Sequence, residues 1–161
     1  MHLVKAPLPH SSTITAGCTV VAIPIDRRTL AKRLWRGRAV DGTEFGFELD
    51  KPLSDGDCVL QTDTTSYIIA QLPEPVLEIT LTTSASDAAL LGWTIGNLHF
   101  EIEVHAERVL APDDIALQQT LDRAGITYRE TTAIFHPQRS GGHGHHHGHG
   151  LPFLPLPGHR S

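Results

Sequence analysis

The residues best suited to chemistry lie in the stretch FHPQRSGGHGHHHGHG, residues 135–150. His143, His145, His146, His147 and His149 fall within seven positions, spaced only by Gly144 and Gly148. Neutral imidazole is a ligand for zinc, nickel and copper. A glycine-spaced run of such rings can wrap a borderline divalent ion without prior folding. Affinity at such a site rises from cobalt through nickel to copper. It falls as the rings protonate, at about pH 6.5 for an ordinary histidine. A purification tag is usually an unbroken run at a terminus. This run is interrupted, and twelve residues follow it, which favours a native segment. It suits storing or collecting ions better than rigid catalysis.

Three further histidines could join that chemistry. His99 follows the apparent helix end TIGN, His105 lies in a strand-like stretch, and His136 stands where the apolar pattern stops. A lone histidine near a helix end is more often a structural hydrogen-bonding residue than a ligand, so residue type alone leaves both roles open. His2, His10 and His159 lie near the termini and are read as exposed. The sequence has no phosphate-binding loop, no GxSxG, no HExxH and no cysteine with a matched base pattern, so no enzyme is expected. A metal enzyme built on His99 and His105 would need a third fixed ligand. The carboxylates nearby, Glu101, Glu103 and Glu107, alternate along a strand and read as solvent-facing. A metal-storage or scaffold protein is the other alternative.

Composition sets the frame for these residues. Of 161 residues, 40% are hydrophobic and 19% charged, enough apolar material for a core. Net charge is −5, with no basic stripe interleaved with aromatics, so nucleic acid is not an expected partner. No apolar run is long enough to span a bilayer, and MHLVKAPLPHSST is not a signal-peptide pattern, so a cytoplasmic location is expected. Cys18 and Cys58, without a CxxC, read as free thiols.

The elements that would position the histidines fall into three stretches. From residue 20 to 79 the pattern is short strands with turn residues: TVVAIPID with Pro24 at an edge, RTLAKRLWRGRAVDG alternating toward a hairpin at Asp41–Gly42, then TEFGFELD and TSYIIAQLP. This predicts a small β-barrel or sandwich over 1–74, ended by Pro73 and Pro75. Residues 75–136 alternate strand and helix. SASDAALLGWTIGN is a helix capped by Ser84 or Ser86 and stopped by Gly96–Asn97. FEIEVHAERVLA is a long strand or two. PDDIALQQTLDRAG is a helix with Pro112 near its start, an apolar stripe at Ile115, Leu117 and Leu121, and Gly125 at its end. The pattern is βαββαβ, ferredoxin-like. Residues 137–161 are rich in Gly, Pro and His and read as a disordered tail. The fold class expected is α+β.

The segment IGNLHFEIEV, residues 95–104, resembles the GNRH segment of the UreE family of urease accessory nickel metallochaperones. LDRAGITYRE resembles that family's helix end before its last strand, and a His-rich tail follows, as in the family. The resemblance covers most of the chain. It implies that His99, with Gly96 and Asn97, is the metal-binding histidine of a homodimer interface, where two copies hold one Ni(II) ion. His136 and the group His143, His145, His146, His147 and His149 would complete or extend that site. It implies a recipient, the accessory GTPase UreG, within the urease apoprotein assembly complex. Zn(II) or Cu(II) would occupy the same ligands in vitro. Leu98 stands where the family has arginine, and the family's auxiliary His-x-His pair is missing from RVLAPDDIAL. Asp113 and Asp114 are there instead, read first as helix N-terminal residues, so the auxiliary site is expected to be absent or replaced by His105.

Overall fold

The computed structural model describes residues 1–9, 18–82 and 84–138. Its N-terminal part contains β1 (His2–Val4), β2 (Thr19–Ile25), α1 (Arg27–Leu30), β3 (Leu34–Arg38), β4 (Glu44–Glu48), β5 (Cys58–Gln61) and β6 (Thr65–Gln71). These form two three-stranded sheets, ordered β1-β4-β3 and β2-β6-β5. The period of two along TVVAIPI turns Val21, Ile23 and Ile25 inward. They meet Phe45 and Phe47 of β4 and Ile69 of β6 in one cluster that both sheets share. Trp35 stacks on Phe47 with ring centroids 3.7 Å apart. The Asp41–Gly42 turn forms where the sequence predicts it. Asp41 Oδ1 accepts from Thr43 N–H at 2.9 Å, and Gly42 takes φ +91°.

One strand-like stretch is not strand throughout. Asp26 caps a short helix by accepting from Thr29 N–H at 2.9 Å, so Arg28 and Thr29 belong to α1 and the alternation begins only at Leu34.

The C-terminal part runs β7 (Glu74–Thr80), α2 (Ala85–Asn97), β8 (Glu103–Val104), β9 (Arg108–Pro112), α3 (Ile115–Arg123) and β10 (Arg129–Ala133). Its strands lie in the order β10-β7-β9-β8, with every pair antiparallel. The element order is the β-α-β-β-α-β that the sequence pattern predicts. The whole chain is α+β. Leu77 and Ile79 point to one face, where Leu91 and Ile95 of α2 and Leu117 and Leu121 of α3 cover them. Each helix presents an i, i+4 pair; fully burying a leucine or isoleucine side chain contributes about 1.5–3 kcal/mol. Val76 and Leu110 point to the other face, where Phe135 covers them. Among the described residues no helix is long and apolar enough to cross a membrane.

The stretch expected as one long strand or two is two, with His105 N–H donating to the Arg108 carbonyl at 2.9 Å to close the hairpin. Two local expectations are corrected. Pro112 is the last residue of β9, not the start of a helix. Asp114 is the α3 cap, its Oδ1 accepting from Ala116 N–H at 2.8 Å. Ile115 is 73% exposed and outside the stripe, because it sits two residues before Leu117 and residues two apart do not share a helix face.

Candidate metal centre

The chain leaves α2 through a reversal that no glycine occupies. Leu98 N–H donates to the Ile95 carbonyl at 3.1 Å, and His99 N–H to the Gly96 carbonyl at 2.9 Å. His99 then takes φ +61°, the one positive φ of a non-glycine among the described residues. Gly96 and Asn97, expected to make this turn, lie inside the helix instead. A left-handed conformation costs an L-residue about 1–2 kcal/mol, which glycine avoids, and glycine is the common residue at this position. A histidine held there at that cost points to use of its side chain.

His99 is exposed at the rim of a shallow hollow that Arg27, Glu74, Glu101, Asp113 and Asp114 also line. The two aspartates, read from sequence first as helix residues, thus share a surface with His99. Asp113 Oδ1 accepts from Gln118 Nε2 at 2.7 Å. On the outward face of α2, Leu90 is 58% and Trp93 66% exposed. Spaced at i, i+3, they form an exposed apolar pair on the helix, whose last residue is Asn97.

His136 and His105 are brought toward each other by one carboxylate. Glu103 Oε2 accepts from His136 N–H at 2.6 Å. Glu103 Oε1 lies 3.0 Å from His105 Nε2, although that nitrogen makes no contact with hydrogen-bond geometry. The imidazole of His136 is exposed. Glu103, expected to face solvent, is therefore an anchor. So is Glu101, which accepts from Arg27 Nη1 at 2.8 Å. Arg27 also grips Glu74, with Nε 2.7 Å from Oε1 and Nη2 3.3 Å from Oε2. Those hydrogen bonds, to Glu74 first, raise the arginine pKa above its usual value.

The chain beyond β10 returns across the sheet. Phe135 is fully buried against Val76 and Leu110, its carbonyl accepts from Gln71 Nε2 at 2.8 Å, and the Arg27 guanidinium carbon lies 4.9 Å from its ring centroid. Gln138 N–H then donates to the Ile102 carbonyl at 2.9 Å. The C-terminal segment thus passes from the β10 edge, under the face opposite the helices, to the β8 edge beside residues 101–103. His143, His145, His146, His147 and His149, and the expected tail, lie outside the described residues.

Among the described residues, no three His, Cys, Asp or Glu side chains are grouped to hold a metal ion. A metal ion held by His99 would need donors from outside this set. The surroundings favour a cation: residues 74–136 carry ten Asp and Glu against three Arg, a net −7, while residues 1–73 carry eight of each sign. Cys18 and Cys58 are free thiols, and partial burial pushes the Cys58 thiol up.

The sequence motif led to His99. It gave no route to Arg27, whose partners lie 47 and 74 residues away. The regular spacing of Glu101 and Glu103 after His99 was the available signal for those two.

Comparison with known proteins adds a second line. A family model described as the UreE urease accessory protein, C-terminal domain, matches residues 74–159, beginning at the first residue of β7. The chain is 31% identical over 136 residues to the urease accessory protein UreE of Chelativorans sp. (strain BNC1), covering 79% of this chain and 85% of that protein. With the protein of the same name from Mesorhizobium japonicum it shares 33% identity over 142 residues, covering 82% of this chain and 72% of the relative. With that of Ralstonia nicotianae it shares 29% over 154 residues, covering 91% and 71%.

Proposed function

The chain belongs to the family of UreE urease accessory proteins, and on that premise we propose that it is a nickel metallochaperone for assembly of the urease active site, a carrier rather than a catalyst. One Ni(II) ion is held between two copies of the chain, each giving its His99. The observation that carries this reading is the backbone of His99, an exposed imidazole in a left-handed turn where glycine would fold at lower cost.

Three features support the rest. Two imidazoles leave most of a nickel coordination sphere open, so the ion needs additional ligands and can also be surrendered one ligand at a time. The exposed pair Leu90 and Trp93, on the helix that precedes His99, offers an apolar contact for a second copy, and a twofold axis at that contact would bring the two histidines together. The hydrogen bond from Gln138 to Ile102 roots the C-terminal segment near the metal loop. From Gln138 to His143 is five residues, at most about 17 Å of chain, and to His149 at most about 37 Å. Tail histidines at 143, 145, 146, 147 and 149 are therefore within chain length of the His99 site, and His136 is taken as a further ligand beside them. Zn(II) and Cu(II) fit the same nitrogens in vitro.

The N-terminal part serves as a docking domain, the ferredoxin-like C-terminal part as the metal-binding domain. The recipient is the accessory GTPase UreG within the urease apoprotein complex, in the cytoplasm.

Calorimetric titration with nickel tests this reading on the intact chain, on His99→Ala, and on a full-length chain with alanine at 143, 145, 146, 147 and 149. The reading predicts one tight ion per two chains, lost in His99→Ala, and kept in weakened form when the tail imidazoles are removed. If His99→Ala changes nothing while the tail substitutions remove all binding, the protein is a metal store.

A further inference from the structure

We propose that Arg27 is the positioning residue through which the N-terminal part sets nickel affinity at His99, a proposal that rests on the reading above. Arg27 opens α1, immediately after β2. Its guanidinium reaches three points of the C-terminal part. It forks onto Glu74, the first residue of β7. It donates to Glu101, two residues past His99. It lies over the ring of Phe135, the root of the C-terminal segment. All three guanidinium nitrogens are engaged, the geometry for which arginine rather than lysine is suited.

The loop that links α2 to β8 is short, and its second residue, His99, is strained. Its backbone does not prefer the conformation that it holds, so an external tether must hold it. Glu101 is that tether on one side, and Glu103, holding His136 N–H, is the tether on the other. With Arg27 in place the imidazole is preorganised, and metal binding has less conformational freedom to remove. A docking event that draws Arg27 off Glu101 loosens the loop and lowers nickel affinity. The carrier thereby gains a way to release its cargo on contact with a recipient.

A double-mutant cycle tests this in the full chain bearing alanine at 143, 145, 146, 147 and 149. Nickel dissociation constants are measured by chelator competition for this background, Arg27→Gln, Glu101→Gln and the double substitution. Each single change is expected to weaken nickel about three- to fivefold, the range for a partly exposed charge pair, and the double change to weaken it no further than Arg27→Gln alone. Arg27→Lys should restore part of the affinity. A purely structural role would lower Tm and leave the dissociation constant of the folded protein as it was. Unchanged constants, or changes that simply add, overturn the proposal. If Arg27→Gln does not fold, Glu101→Gln decides alone, since Glu101 is half-exposed and its loss leaves the core intact. A His99→Ala control in the same background separates the two readings. If it does not weaken nickel, the shared-site reading fails and this inference with it. If it does, and Glu101→Gln does not, only the role of Arg27 fails.

Discussion

At the scale of single residues, the proposed role of His99 sets fold stability against metal binding. A β-carbon at φ +61° strains the turn after α2, and glycine would relieve it. His99→Gly should therefore stabilise the fold by about 1 kcal/mol, visible as a higher Tm, while abolishing the tight nickel site. A fall in Tm would mean that the imidazole itself holds the turn. The motif GNLH makes the histidine legible in sequence. The reason for its conformation is not legible, because Gly96 and Asn97 offer two residues better suited to positive φ, and the helix runs through both. Which residue takes the left-handed position depends on where the apolar contacts of Leu91 and Ile95 stop holding the helix.

At the scale of elements, α2 carries two faces. Leu91 and Ile95 bury one; Leu90 and Trp93 leave the other apolar and uncovered. Trp93→Glu should leave Tm nearly unchanged, since the side chain is mostly exposed, yet shift the protein toward monomer in light scattering and weaken nickel at the shared site. Retention of a dimer with full affinity would place the interface elsewhere.

The sheet has its own charge-dependent joint. Glu78 on β7 accepts from Arg129 of β10 and from Arg108 of β9, each at 2.8 Å. The hydrogen bond from Arg129 is the largest influence that holds the Glu78 carboxyl below its ordinary 4.5. A carboxylate so depressed adds stability above the unfolded value, and that stability is lost as pH falls through the lower folded value. Glu78→Gln should lower Tm at pH 7 by roughly 2–4 °C, with the two proteins converging below pH 4.5. A difference that persists in acid would point to packing rather than charge.

Most of these elements could be read from periodicity. The alternating strands, the Asp41–Gly42 turn and the Gly125 helix end follow local rules. The errors fall where local rules were satisfied in more than one way. Pro112 suits a helix start and also a strand end, and pairing with Val76 decides.

At the scale of the whole molecule, the decisive contacts are remote in sequence. Arg27 meets Glu101 across 74 residues, and Gln71 meets Phe135 across 64. No periodicity encodes such pairs. They depend on β6 passing directly into β7 and on the C-terminal segment returning beneath the sheet. On the proposed reading, that return gives the histidine-rich stretch its purpose: imidazoles that gather ions from solution would start close to the histidine that holds one between two chains.

Native mass spectrometry of the intact chain, loaded with less nickel than protein, separates a site shared by two chains from a metal store. A shared site gives dimers carrying a single nickel ion as the dominant loaded species, absent from His99→Ala under the same conditions. Nickel distributed over monomers, and equally over the His99→Ala protein, would contradict it.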